Sequence, residues 1–185
     1  MGTRVAIAHS AAQLRVAADV GIASLSPRAA ELCYVGPNPN PTEMDADSEL
    51  SDLLDDLGEV IDLSRQDASM RSFMLDACEL IRGVLPEEAA SWLQTANEYA
   101  AGIAGASELT QARVDAWHYL GTESCNFKDQ RVNAVRALIC LLFPREERQD
   151  GYETLSHFIQ FANDAEPHAG EQILLLRRAF AEVLS

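Results

Sequence analysis

The sequence predicts an all-α fold, an irregular antiparallel bundle of about six to eight helices. Three observations predict it. Beyond residue 42, apolar residues recur at spacings of three and four, the rhythm of one buried helix face. No segment alternates apolar and polar residues between hairpin turns, as a half-buried strand would. Prolines and short polar loops separate the periodic stretches, and short connections set neighbouring helices antiparallel. Self-similarity at a period of 34 or 40 residues is lacking, so a solenoid is not expected.

The elements follow in order. Residues 1–42 read as an N-terminal arm. It holds an alanine-rich helix around 8–20, then a short helix that starts at Ser26-Pro27 and runs to about Cys33. GPNPNPT, residues 36–42, places three prolines and two asparagines where a helix cannot continue, and forms a hinge-like loop. Residues 43–185 form the body, with about six main helices. Leu50, Leu53, Leu54, Leu57 and Ile61 make the first apolar stripe. Asp67 is placed to cap a helix whose inner side is Met70, Phe73, Met74, Ala77, Cys78 and Ile81.

Pro86 is placed to open the next helix, with Glu87 and Glu88 against its positive end. Its apolar face is Ala89, Trp92, Leu93, Ala96, Tyr99, Ala100 and Ile103, and Gly102 and Gly105 loosen its end. Ser107 is placed to cap a helix carrying Leu109, Ala112, Ala116, Trp117 and Leu120, which ends on Gly121. A helix over 129–143 stops before Pro144. Another over 151–163 presents Tyr152, Leu155, Phe158, Ile159 and Ala162. The last, about 169–184, presents Ile173, Leu176, Phe180 and Val183.

Composition narrows the function. A chain of 185 residues with 48% hydrophobic content suits one domain with a sizeable core. The net charge of −15 and the lack of any Lys/Arg cluster in the sequence argue against nucleic acid. No apolar run reaches the ~20 residues of a membrane span. His9, Gln13, Arg15 and Asp19 interrupt the alanine-rich start, which therefore reads as mature sequence rather than a secretory leader. Cys33, Cys78, Cys125 and Cys140 are widely spaced and form no CxxC pair. Together these features point to a cytoplasmic protein with reduced thiols.

The strongest feature is an acidic segment. Residues 43–67 hold ten carboxylates against the single cation Arg65, more than half of the chain's net charge. Asp52, Asp55, Asp56, Glu59 and Asp62 lie off the leucine stripe, so one side of that helix is dry and the other strongly negative. Either this is a solvated outer face, or it docks a cationic partner. Asp45, Asp47, Asp52, Asp55, Asp56, Glu59 and Asp62 are the candidate partner-binding residues. The acids do not follow the calcium-loop pattern. His9, His118, His157 and His168 show neither HExxH nor zinc-ligand spacing, so no metal or other cofactor is expected.

There is no GxSxG elbow and no glycine-rich phosphate loop, and a pairing of Cys125 with His118 is the sole nucleophile arrangement the sequence offers. Trp92, Tyr99, Trp117 and Tyr119 come from consecutive helices and either pack in the core or anchor a binding surface. Any inward arginine among Arg113, Arg131 and Arg136 needs a carboxylate partner, with Asp115 or Glu108 in reach on sequence grounds.

From Ala89 to Phe143 the chain carries WLQTANEYAAG, ELTQARVDAWHYLG and AVRALICLLFP. This stretch resembles the helical immunity proteins encoded beside bacterial polymorphic toxins. The resemblance implies an all-helical protein without catalysis that binds and neutralises a cognate toxin, and it assigns no particular residue. The leading reading is therefore an acidic protein-binding module, an immunity or antitoxin-like inhibitor of a basic partner protein. The alternatives are a small helical metal-dependent enzyme and a self-associating structural or regulatory protein.

Overall fold

The computed structural model describes residues 41–148 and 150–184. Of the arm and loop expected over residues 1–42, residues 1–40, with Cys33 and His9, lie outside them, as does the Cys125 side chain with its suggested pairing to His118, whereas Pro41 and Thr42, expected in the loop, open the first helix, where proline's fixed φ suits the first turn. Among the described residues the fold is all-α, with seven α-helices and no strand. They are α1 (Pro41–Val60), α2 (Asp67–Leu80), α3 (Ala89–Ala100), α4 (Ala106–Leu120), α5 (Gln130–Leu141), α6 (Gly151–Ala165) and α7 (Ala169–Ala179). Short 3-10 turns at Leu63–Arg65, Gly121–Cys125 and Arg145–Glu147 join them.

α5 is the central element. Val132 to Leu142 are buried almost without a break, as expected for a helix covered on all sides. It packs chiefly on α6, and also on α4, α2 and α3. Across this core Phe73 of α2 meets Phe158 of α6 edge-to-face at 5.8 Å. α1 lies against α7 and α6, and buries Leu50, Leu54 and Leu57. Each such leucine contributes about 1.5–3 kcal/mol by leaving water. Cys78 and Cys140 are buried free thiols, as their place in the apolar stripes predicts. Burial pushes the Cys140 thiol up to about 12 and the Cys78 thiol higher, so neither is a nucleophile near neutrality.

Several ends differ from the sequence expectation. Asp67 does not cap α2; it is the first residue of that helix, and its carboxylate turns inward. Pro86 precedes a turn, and α3 starts at Ala89. α3 ends in a two-bond reversal, with Gly102 N–H bonded to Tyr99 O at 3.0 Å and Ile103 N–H to Glu98 O at 2.8 Å. Gly102 sits there at φ +72°, a left-handed backbone that suits glycine. The reversal turns Ile103 out of the expected face, leaving it 77% exposed.

α4 is capped by Gly105, whose N–H donates to Glu108 Oε2 at 2.5 Å, and not by Ser107. Gly121 ends α4 at φ +47°, where a C-terminal glycine is expected. Trp117, expected on the inner face of α4, is 44% exposed. α7 stops at Ala179 rather than near 184, yet Phe180 is still buried.

The inward-facing arginines are Arg71 and Arg148, each with a side chain 3% exposed. Both bond to Asp67: Arg71 Nε donates to Oδ2 at 3.0 Å, and Arg148 Nη1 to Oδ1 at 2.7 Å. The carbonyls at the end of α5 take the remaining donors. Arg71 donates to Leu141 O at 3.0 Å and to Phe143 O at 2.7 Å, and Arg148 to Phe143 O at 3.3 Å. Arg71 also lies 4.4 Å from the Tyr99 ring centroid. Burial, then the Arg71 charge, pushes the Arg148 pKa down, while Asp67 pulls it up. Arg113 pairs with Glu147 at 2.5 Å and covers the Phe143 ring at 4.2 Å. Asp115 and Glu108, the partners considered from sequence, instead accept from Gln111 and Gly105.

The start of α6 presses on the turn after α1. A Cβ on Gly151 would lie 2.6 Å from the Leu63 carbonyl carbon and 2.6 Å from Ser64 N, both rigid backbone.

Two outcomes are expected. Asp67→Ala strands two buried guanidiniums and costs about 3–5 kcal/mol of unfolding free energy. Urea titration followed by circular dichroism measures it. Gly151→Ala costs roughly 1–3 kcal/mol by overpacking, whereas Gly170→Ala, with open space around its Cβ, costs nothing in the same assay.

Candidate functional site

α1 separates an apolar face from a charged one by ordinary helix periodicity. With Leu50, Leu54 and Leu57 turned inward, Asp45, Asp47, Asp52, Asp55, Asp56 and Glu59 are all exposed, as is Asp62 just beyond the helix. The seven candidates divide by what they touch. Asp47 accepts from Asn163 Nδ2 of α6 at 3.5 Å. Asp55 accepts from the Tyr152 hydroxyl of α6. Asp62 caps the 3-10 turn, accepting from Ser64 N–H at 3.1 Å and from the Ser64 hydroxyl, with Arg65 at 3.4 Å. The Ser64 hydroxyl, above all, holds the Asp62 carboxyl below the usual carboxylate range.

Asp45, Asp52, Asp56 and Glu59 make no hydrogen bond or ion pair with a described side chain. Asp45, Asp52 and Asp56, with Glu49, follow the spacing i, i+4, i+7, i+11 and so share one strip of the helix. That strip lines an open hollow of about 360 Å³ between α1 and α7, together with Ser48, Leu53 and Arg177. Arg177 reaches over from α7 and pairs with Glu49 at 2.9 Å. A second hollow, about 280 Å³, lies where Asp62, Ser64, Asp150 and Tyr152 meet. Its polar groups are already engaged: Asp150 caps α6 by accepting from Glu153 N–H at 3.1 Å.

Glu49, Arg177 and Asp164 belong to this face, although the sequence singled out none of them as partner-binding. Glu49 was legible in the helical strip. Asp164 is brought beside Asp47 by the packing of α6 on α1. Burial, then the Asp47 charge, pushes its pKa above the ordinary carboxylate value.

The other candidates scatter. Trp92 is buried and meets Tyr119 edge-to-face at 5.8 Å, Tyr99 serves Arg71, and Trp117 faces outward. His118 and His157 are exposed, and His157 stacks on Phe161 at 6.0 Å. His168 sits 3.7 Å from Glu166 and 3.8 Å from Glu171. Among the described residues no group of three or more His, Cys, Asp or Glu side chains could hold a metal ion. No helix among them is long and apolar enough to cross a membrane. Compared with protein-family models, with curated proteins and with solved structures, the chain matches none.

The raised pKa of Asp164 gives a pH dependence with a definite sign. Below the ordinary carboxylate pKa the group is protonated in both folded and unfolded chains and costs nothing. As pH rises from that value through the higher folded pKa, the folded state must give up a proton it holds more tightly, and stability falls. Asp164→Asn is therefore expected to be more stable than wild type at pH 7, with the gain vanishing in acid. Thermal melts across pH 3–7 (roughly the titration range of carboxylates) check the trend.

Proposed function

We propose that this chain is an acidic protein-binding module that docks a cationic partner protein on the outer strip of α1. In the manner implied by the resemblance of residues 89–143, it acts as a stoichiometric inhibitor of the immunity or antitoxin kind, in the bacterial cytoplasm. The observation that carries the reading is the set of four exposed carboxylates, Asp45, Asp52, Asp56 and Glu59, that no described side chain neutralises.

A charge that serves the fold pairs within it, as Asp67 does. These four do not, and like charges on one strip repel one another. A cationic surface relieves that repulsion on contact, and the same field speeds the encounter. Glu49 with Arg177 supports the reading at smaller scale, since this face already seats one guanidinium at 2.9 Å. Leu50, Leu54 and Leu57 fasten the strip to the body, so little order has to be gained on binding.

The test is affinity capture from the source cell, with wild type and the Asp45→Asn, Asp52→Asn, Asp56→Asn, Glu59→Gln variant as bait. Wild type is expected to retain a basic protein in stoichiometric amount that elutes as salt rises. The variant, folded normally by circular dichroism, is expected to retain about tenfold less or lower, since each lost charge pair weakens the complex. Equal capture by both baits at low salt sinks the proposal.

A further inference from the structure

A second surface of the molecule sets two exposed cations, Lys128 and Arg131, near an exposed aromatic ring, with the exposed acids Glu123 and Asp129 in the same segment. Phe127, in the loop before α5, is 59% exposed. Arg136 of α5 stacks beneath it at 4.0 Å and reaches the Phe161 ring of α6 at 5.1 Å. It is held in that sandwich by a bond from Nη2 to Ser124 O. Lys128 and Arg131 follow Phe127 in sequence, both exposed, and neither forms an ion pair with a described residue. Asp129 between them is turned to its own helix, capping α5 through Arg131 N–H at 2.9 Å and Val132 N–H at 3.2 Å.

The other described arginines, Arg145 apart, each face a carboxylate, a carbonyl or a ring. In a chain of net charge −15, two cations that no described residue pairs, close in sequence to an exposed ring, suit an anionic partner.

We propose that this patch docks the acidic strip of α1 on a second copy of the chain. The charges are complementary, with Lys128 and Arg131 on one surface and Asp52 and Asp56 on the other. Within one copy the two described surfaces do not meet. Asn163, which touches Asp47 of α1, and Phe161, which touches Arg136, lie two residues apart on α6. Two residues are about 200° around a helix axis, so the two surfaces look out from opposite sides of α6. A contact between unlike surfaces on opposite sides is head-to-tail, and grows into rings or open chains rather than stopping at a two-fold dimer.

The inference shares the α1 strip with the proposed function but stands on Phe127, Arg136, Lys128 and Arg131, which that function does not use. A cationic partner protein and a second copy therefore compete for one surface.

Sedimentation velocity on the full chain, at low and at high salt, tests it. Wild type is expected to show species larger than a monomer that grow with concentration at low salt and dissolve at high salt. Lys128→Glu/Arg131→Glu is expected to be monomeric, as is Asp52→Lys/Asp56→Lys. Mixing these two variants restores charge complementarity at both contacts, intact surface with intact and reversed with reversed, so the mixture is expected to associate where neither variant does alone. Phe127→Ala, which keeps all charges, is expected to weaken the association of the wild type.

Wild type that stays monomeric at low salt overturns the inference. So do oligomers that survive both charge reversals, or a mixture that stays monomeric. The Lys128→Glu/Arg131→Glu variant keeps α1 intact. Its use as bait in the capture experiment therefore separates failure of this contact from failure of the docking surface for a foreign protein.

Discussion

Two guanidiniums share one carboxylate inside this protein, and the arrangement of the other helices depends on that fact. Removing Arg71, Arg148 and Asp67 from water is costly, and one carboxylate cannot repay two cations. The balance comes from the end of α5. Its last carbonyls carry the negative end of the helix dipole, and Leu141 and Phe143 aim theirs at the two arginines. α2 and α5 are thereby set in one register, because a shift of either helix would leave buried donors without acceptors. The connection from α5 to α6 is held by the same groups, with Arg148 within it and Glu147 tied to Arg113 of α4. α6 begins from a point fixed on three sides, and its first turn can then press Gly151 onto the backbone after α1.

That chain of constraints reaches the surface. Tyr152, one residue beyond Gly151, lays its ring on Gly58 and bonds to Asp55. Asn163, three turns further along α6, meets Asp47. α1 is thus fixed to α6 at both ends of its acidic face, and Asp47, Asp55 and Asp62 are engaged in holding it. Asp45, Asp52, Asp56 and Glu59 have no such task among the described residues. An acidic strip on a frayed helix would spread its charge by moving. On an anchored one the charges stay fixed in place, and only salt screens their repulsion.

Much of the fold was legible in the sequence, for a plain reason. A stripe such as Leu50, Leu54 and Leu57 depends on periodicity alone, and periodicity is local. Asp67 shows where local reading stops. An aspartate just ahead of an apolar helical run has the form of a cap, and the inward Arg71, with Arg148 approaching from 81 residues away, turns it inward. Arg71 follows Met70 of the buried stripe, and nothing near it in sequence announces the carbonyls of α5. Ser107 lost the capping position because Glu108 reaches back to Gly105, so that the helix starts one residue before the serine. Asp52, Asp55, Asp56, Glu59 and Asp62 were correctly placed off the leucine stripe. Their division into engaged and unengaged groups was not legible, since Tyr152 and Asn163 come from an element a hundred residues away.

The cation–aromatic patch was hidden for a similar reason. Lys128 and Arg131 are too few to register as a basic cluster in a sequence so rich in acid. Their weight comes from Phe127, and the standing of Phe127 comes from Arg136 and Phe161, which α5 and α6 bring beneath it. A guanidinium between two rings is stiff, and an exposed ring held by a stiff support binds at less entropic cost than one on a loose loop. α6 is therefore the element that gives the molecule its polarity. One of its sides fixes the negative strip through Asn163 and Tyr152, and the other carries the positive one through Phe161. A change in how α6 packs on α5 would move both surfaces at once, which couples them through the same core that Asp67 holds in register.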